Sequence, residues 1–152
     1  MFTQYSAGSA GRSTFYHTSG GNVALFINGG PSFTTTGTIS TGSWQHIAWV
    51  RNGSSFKIYI DGTEEGSGTG SPSIQQINSV VGAQDSAGAN GFIGNIDEIR
   101  ISDTARYTSG FTPSTEPFQN DANTLLLLHC NGTDGSTTFI DDNGVTTAGQ
   151  GA

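Results

Sequence analysis

The chain has 152 residues, of which 23 are glycine, nine are phenylalanine and only 11% are charged. Twelve acidic residues against five basic ones give a net charge of −7, which would repel the phosphate backbone of nucleic acid and an anionic membrane surface. No apolar stretch is long enough to span a bilayer. We therefore expect no nucleic-acid partner and no membrane insertion, and the composition is typical of short strands joined by tight turns.

The first 42 residues contain four strand candidates separated by glycines, at 1–5, 13–18, 23–28 and 32–39. In the second candidate, Phe15 and His17 share one face while Tyr16 lies on the other. In the third, Val23, Leu25 and Ile27 form one apolar row. These spacings predict hairpins with one apolar face.

Residues 44–62 carry the clearest pattern of the chain. Two segments rich in aromatic and β-branched residues are each followed by a turn signal, Asn52-Gly53 and Asp61-Gly62. We expect three consecutive antiparallel strands, followed by a Gly/Ser loop at 66–72. Alternation places Phe56, Ile58 and Ile60 toward the core and Lys57, Tyr59 and Asp61 on the opposite face.

The second half predicts strands at 79–82, 92–102, 121–129 and 137–140, with a polar loop at 83–91 and an irregular segment at 105–117. The segment 125–130 is so apolar that we expect it to pair within this chain or with another copy, since an unpaired strand of that kind would aggregate. The tail at 144–152 holds only small and polar residues, apart from Val145, and is expected to be mobile or bound to a neighbour.

Four motifs occur in order along the chain: Trp44-x-His46-Ile47-Ala48-x-Val50-Arg51, Lys57-Ile58-Tyr59-Ile60-Asp61-Gly62, Gly94-x-Ile96-Asp97-Glu98-Ile99-Arg100-Ile101-Ser102 and Ala105-Arg106-Tyr107. Together they resemble the laminin-G-like branch of the concanavalin A-like superfamily. The resemblance implies an all-β fold, a jelly-roll sandwich of two antiparallel sheets.

The resemblance also implies a domain division. Residues 1–118 correspond to a laminin-G-like sandwich whose first strands are missing or rearranged, because members of the family usually open with strands that precede anything matching Met1. Residues 119–152 form a C-terminal segment that looks like the opening strand of such a repeat. Its strand either completes the sandwich or pairs with a neighbouring copy.

Tandem modules of this type resemble those of phage and viral tail or surface proteins and of bacterial extracellular proteins. The resemblance implies a non-catalytic structural or adhesive module in a homo-oligomer or array, located on a virion, on a cell surface or outside the cell. A stand-alone carbohydrate-binding module that recognises a cell-surface glycan is the first alternative, and a glycoside hydrolase is the weaker one. No secretory signal is visible, since Met1-Phe2-Thr3-Gln4 is not followed by a basic region and an apolar run.

Catalysis would require two carboxylates on one sugar-binding face. Asp97-Glu98 is the suggestive pair, but neighbours in a strand point to opposite faces, so we expect no enzyme. We expect these carboxylates to pair with Arg100, Arg51 or loop amides instead. The three histidines lack the mutual spacing of a zinc site, and the single cysteine, Cys130, is expected to be a buried or half-buried thiol.

Calcium is a further expectation, because laminin-G-like modules often hold it on a rim loop through carboxylates and backbone carbonyls. The oxygen-rich candidates are Asp85 and Asn90 in one loop and Asp134, Asp141 and Asp142 in another cluster. Solvated turn residues are the alternative interpretation.

Recognition of a sugar needs an exposed aromatic ring beside polar side chains that bind hydroxyl groups. The sequence offers Tyr16, Trp49, Tyr59 and Tyr107 as such aromatic rings. For each of them, packing in the core or at the rim of the sandwich is the alternative.

Overall fold

A computed structural model describes residues 2–5, 12–74, 78–84, 88–142 and 146–148 of the chain. These residues form antiparallel strands and contain no helix, and hence none that could cross a membrane. The chain divides into two compact units, one made of residues 1–93 and 107–113 and the other of residues 94–106 and 114–152.

The first unit contains two antiparallel sheets. Its strands are β1 (Phe2–Tyr5), β2 (Ser13–His17), β3 (Asn22–Ile27), β4 (Ser32–Thr38), β5 (Ile47–Asn52), β6 (Ser55–Ile60), β7 (Thr63–Thr69) and β8 (Asn78–Val81). One sheet has the order β4-β3-β2-β1-β8 and the other the order β5-β6-β7. The hairpins expected in the first 42 residues and the three-stranded meander are confirmed.

The core of this unit lies between the two sheets. Val23, Leu25 and Ile27 of β3 pack with Phe56, Ile58 and Ile60 of β6. These six residues are buried, as the alternation predicts for the covered face of each strand, and Ala24 and Tyr59 on the opposite faces are buried as well. The predicted apolar rows are therefore confirmed.

The glycine-rich segment after the meander differs from the prediction. Residues 66–69 belong to β7 and are not part of a loop. The ring of Phe33 lies against this strand, and a Cβ added at Gly68 would come within 2.8 Å of a ring carbon. The glycines at 66 and 68 therefore let the aromatic ring approach the backbone closely, which is an established use of glycine inside a strand.

The second unit contains β9 (Ile99–Ser102), β10 (Thr124–Leu128), β11 (Thr138–Ile140) and β12 (Thr146–Ala148). β10 pairs with β9 and β11 pairs with β12, both antiparallel. The expectation that the apolar segment 125–130 pairs within this chain is confirmed for Leu126, Leu127 and Leu128.

Two predictions for the second unit are wrong in part. The strand expected at 92–102 begins only at Ile99, because Glu98 has a φ of 52°, which a strand cannot accommodate. The tail contains the strand β12 at 146–148, and its other residues lie outside the described ones.

The open edge of β10 is occupied by an aspartate. The Asp141 side chain is only 2% exposed, and its Oδ1 accepts a hydrogen bond from the Leu127 N–H at 2.9 Å. The Asp142 N–H in turn donates to the Leu127 carbonyl oxygen at 3.0 Å. Asp141 and Asp142 thus satisfy both backbone groups of Leu127, at an edge where another chain could otherwise pair.

Candidate functional site

The first unit carries a groove on the outer face of its five-stranded sheet. Residues directly opposite each other in neighbouring strands share a face, and the register pairs Thr14 with Phe26 and Tyr16 with Ala24. Because Leu25 and its partner Phe15 point into the core, these four residues lie on the opposite face of the sheet, where Thr14 and Ala24 are nevertheless buried. The sequence predicted this orientation for Tyr16, which is half-buried.

The wall of the groove is the loop that follows β8. The Phe92 N–H donates to the Gly82 carbonyl at 2.6 Å, and the Gln84 N–H donates to the Ala89 carbonyl at 2.8 Å. The Asn90 amide donates to the Gln84 side-chain oxygen. These bonds hold two carboxamide side chains together on the wall, and Gly91 lies beside them in the lining.

The groove has a volume of about 910 Å³, and its floor carries the rings of Tyr16 and Phe26. Thr18, Ser19 and His17 line the end near the β2–β3 turn, and Arg12 lines the groove as well. The Arg12 Nε donates to Thr14 Oγ1 at 3.2 Å, and the guanidinium lies 5.9 Å from the centre of the Phe26 ring. The lining therefore combines two aromatic rings, hydroxyl and amide groups, and one cation.

The other three aromatic candidates do not form an exposed surface. Trp49 is partly buried and packs against the core. Tyr59 is fully buried, which agrees with the alternative of packing in the sandwich and leaves no exposed ring for a sugar to stack on. Tyr107 stacks on Phe111 with ring centres 3.6 Å apart and an angle of 7° between the planes. One face of the Tyr107 ring is thereby covered.

The cover over Tyr59 comes from a segment distant in sequence. Phe111 contacts the Tyr59 ring edge-on at 5.5 Å between centres and the His46 ring at 5.4 Å. Lys57, on the same face of β6, donates through Nζ to Glu64 at 2.7 Å and to the Thr108 carbonyl at 3.2 Å. The face of β6 opposite the core row is therefore covered by residues 107–113.

Sequence reasoning missed Phe26, Arg12 and Trp44. Phe26 is 38% exposed and lies between the buried residues Leu25 and Ile27, so the same alternation that defined the apolar row would have placed it outward. Trp44 is 68% exposed, in the loop before β5. Alternation places Trp44 and Trp49 on opposite faces of the segment predicted as a strand, but it does not show which of the two rings is exposed.

The loop that presents Trp44 is held by polar side chains. The Gln45 side-chain oxygen accepts a hydrogen bond from the Ser40 N–H at 2.5 Å, and the Gln45 amide donates to Asp61 at 3.3 Å. Asp61 also accepts the His46 N–H at 2.8 Å. These bonds fix the backbone on the C-terminal side of Trp44.

The candidate calcium ligands have other partners or lie apart. Asp85 is outside the described residues. Asp141 accepts from a backbone N–H, Asp142 contacts His129, and Asp134 is exposed in a turn. The described part of the chain holds no group of three or more His, Cys, Asp or Glu residues placed to bind a metal ion. Asn90 lies on the wall of the groove.

The second unit contains a histidine held between two carboxylates. His129 Nδ1 lies 2.7 Å from Glu98 Oε1, and its Nε2 lies 3.1 Å from Asp142 Oδ2. Glu98 Oε2 accepts the Phe118 N–H at 2.8 Å, and Asp97 accepts the Glu98 N–H at 2.9 Å. The expected pairing of Asp97 and Glu98 with backbone amides is confirmed, whereas the role of His129 was not predicted.

These contacts and partial burial shift three pKa values in the second unit. Hydrogen bonding to Glu98 raises the pKa of His129 above its ordinary 6.5, although partial burial opposes the shift. Burial acts to raise the pKa of Glu98, but the bonds from the Phe118 N–H and from His129 outweigh it and leave this pKa below 4.5. Burial raises the pKa of Cys130, which is half-buried as expected.

We expect the contribution of His129 to stability to be largest in mildly acidic solution. The stabilisation by protonated His129 is complete below pH 6.5 and is lost as the pH rises through the raised pKa of His129. The stabilisation by ionised Glu98 is complete above pH 4.5 and is lost as the pH falls through the lowered pKa of Glu98. Urea unfolding should therefore show the greatest difference between the wild type and His129→Gln near pH 5.5. A difference that stays constant from pH 5.5 to 8.5 would contradict this assignment.

The two packed antiparallel sheets define the first unit as a β-sandwich. A family model described as the concanavalin A-like lectin/glucanases superfamily, of the laminin G type, matches residues 1–109. The chain belongs to this family, and the all-β sandwich implied by the resemblance is confirmed.

Two curated relatives match one segment of the chain. They are the "Sushi, von Willebrand factor type A, EGF and pentraxin domain-containing protein 1" of Rattus norvegicus, 32% identical over 102 residues, and that of Mus musculus, 31% identical over 102 residues. Each match covers 59% of this chain and only 3% of the relative. The matched segment is thus a small part of those proteins.

A solved structure is also similar. It is an S-layer domain-containing protein (residues 221–444) from Clostridium thermocellum, 18% identical, and the match covers 69% of this chain and 56% of that chain. The TM-score of 0.36 is too low to establish a common fold beyond the family already shown.

Proposed function

We propose that this domain is a non-catalytic adhesive module and that its groove binds a saccharide chain. One observation carries the proposal: a groove of about 910 Å³ on a sheet face, with the rings of Tyr16 and Phe26 on its floor and the side-chain amides of Gln84 and Asn90 on its wall. The volume is within the range of ligand-binding clefts in proteins, about 300–1,000 Å³.

The two kinds of lining group match the two kinds of surface on a sugar. The C–H face of a pyranose ring stacks on an aromatic ring, and its hydroxyl groups exchange hydrogen bonds with amides and hydroxyls. Tyr16 projects from a strand with a paired neighbour on either side, so the ring is positioned before any ligand arrives. Such preorganisation reduces the entropy lost on binding.

The lining supports binding over hydrolysis. A glycosidase needs two carboxylates across the scissile bond. The described residues that line the groove include no Asp or Glu. Asp97 and Glu98 lie in the second unit, where backbone amides and His129 occupy their oxygens.

The setting that we propose is a larger surface assembly. The names of the rodent relatives combine several domain types, and the match spans 3% of their length, so the related segment is a part of a much larger protein. By analogy, this module would belong to an extracellular or cell-surface protein, or to a phage or viral tail or surface assembly, and would act beside further copies. Leu125 and Ile140 of the second unit, 55% and 73% exposed, are available for contacts with those copies.

The test is binding to an array of immobilised oligosaccharides. We expect the wild-type chain to bind a subset of them with micromolar to millimolar affinity and Tyr16→Ala to lose roughly fivefold or more, since stacking contributes about 1 kcal/mol or more. Trp44→Ala is the matched control, because it removes an exposed aromatic ring that does not line the groove.

Three outcomes would contradict the proposal. They are the absence of any binding, binding that Tyr16→Ala leaves unchanged, and binding that Trp44→Ala abolishes instead. Light scattering on the same samples tests the assembly: a mass that stays at the 15.7 kDa of one chain at every concentration would contradict contact between copies.

A further inference from the structure

Arg12 is the one arginine or lysine among the described residues that line the groove. Its Nε bond to Thr14 and the Phe26 ring beneath the guanidinium hold the side chain on the groove floor. Within the described part of the chain, its two Nη groups make no hydrogen bond to the protein. A guanidinium fixed on one side in this way presents its remaining N–H groups as a planar fork.

The charge around Arg12 differs from that of the chain as a whole. The chain carries a net charge of −7, yet the lining described for the groove contains no carboxylate. Among the described lining residues, Arg12 is therefore a cation that an anionic group can approach without a competing acid. Hydrogen bonds to charged partners are about twice as strong as those between neutral groups.

We infer that the groove selects a saccharide that bears a single carboxylate, such as one uronate or sialate unit in an otherwise neutral chain, and that Arg12 binds this carboxylate. The inference rests on the proposed saccharide binding and adds the chemical class of the ligand. A carboxylate matches the fork of a guanidinium, which donates two parallel N–H bonds to it.

The number of charges follows from the rest of the protein. One arginine neutralises one carboxylate, and each further anionic unit of a polyanion would meet the field of a chain with twelve acidic residues. This field extends over about 10 Å at 0.1 M salt. A mainly neutral saccharide with one acidic unit gains the contact with Arg12 and avoids most of the repulsion by the acidic residues of the protein.

The experiment compares ligands that differ by one carboxylate. We would titrate xylotetraose against xylotriose carrying one glucuronate, lactose against its sialylated form, and tetragalacturonate as the polyanion. In each pair of which at least one sugar binds, we expect the sugar with one carboxylate to bind at least roughly tenfold more tightly than the neutral sugar. Arg12→Gln should reduce this preference to near onefold while the neutral sugar keeps its affinity.

Arg51→Gln is the matched control. Arg51 also lies over a phenylalanine ring, 5.2 Å from the centre of Phe56, and also donates Nε to a neighbour, the Gly53 carbonyl, but it does not line the groove. We expect it to leave every affinity unchanged. Loss of the preference in this variant would show a general charge effect and would overturn the role of Arg12.

The remaining outcomes separate the inference from the proposed function. Equal affinity for neutral and mono-acidic sugars, with binding still dependent on Tyr16, would overturn the inference and leave saccharide binding intact. Absence of binding to every sugar would overturn both. Tightest binding of tetragalacturonate, or Arg12-dependent binding of an acidic peptide as tight as that of the sugars, would overturn the assignment to a single-carboxylate saccharide.

Discussion

Gly62→Ala is expected to destabilise the first unit by roughly 3 kcal/mol or more, because it combines backbone strain with a steric clash. Gly62 has a φ of 80°, which residues with a side chain adopt only at a cost. A Cβ at this position would lie 1.7 Å from the Phe111 carbonyl oxygen. The Phe111 N–H also donates to the Gly62 carbonyl at 3.0 Å, so the two backbones cannot separate without losing this bond.

Gly53→Ala is the control for this prediction. Gly53 occupies the other turn of the same meander with a φ of 61°, but no atom lies within 4 Å of the position that a Cβ would take. We expect it to cost about 1 kcal/mol, from the conformation alone. Urea unfolding of both variants measures the difference, and equal losses would mean that segment 107–113 does not pack against the meander as described.

The two glycines also show what the sequence predicts and what it does not. Asn52-Gly53 and Asp61-Gly62 are local turn signals, and both turns are present because the residues that form them are adjacent in the chain. The contact between Gly62 and Phe111 joins residues that are far apart in sequence. Periodicity and turn chemistry give no information on such a contact, so the sequence did not distinguish a tightly packed turn from an open one.

The same distinction explains the errors on faces and strands. The core row of Phe56, Ile58 and Ile60 follows from alternation alone and is confirmed. Alternation placed Tyr59 on the face opposite this row, but it describes one strand and carries no information about a distant segment that covers this second face. Glu98 delays the start of the predicted strand to Ile99, and its conformation is stabilised by bonds to Phe118 and His129, which a local pattern cannot show.

The candidate groove was predictable in part. The outward orientation of Tyr16 follows from the position of Phe15 in the core, and that of Phe26 follows from the apolar row around it. The wall was not predictable, since β8 reaches this sheet by pairing with β1, some 75 residues earlier. The role of Arg12 could not be predicted from the sequence, because it depends on contacts with Thr14 and Phe26 in the groove. It also depends on the absence of Asp and Glu among the described lining residues.

Phe56→Ala is expected to destabilise the first unit by about 3–5 kcal/mol, the usual cost of removing a fully buried aromatic side chain. Phe26→Ala serves as the control in the same sandwich, because its ring is 38% exposed on the outer face and its removal should cost about 1 kcal/mol or less.

Both variants are best measured in a Trp44→Phe background. Trp44 is 68% exposed, so this change should affect stability little, and it leaves Trp49, which packs against the core, as the single tryptophan reporter. Since a domain of this size is stable by about 5–15 kcal/mol, the loss at Phe56 should move the urea midpoint far below that of the control. Similar midpoints for the two variants would mean that the inner faces of the sheets do not form the core, and the outward assignment of Tyr16 and Phe26 would then be wrong as well.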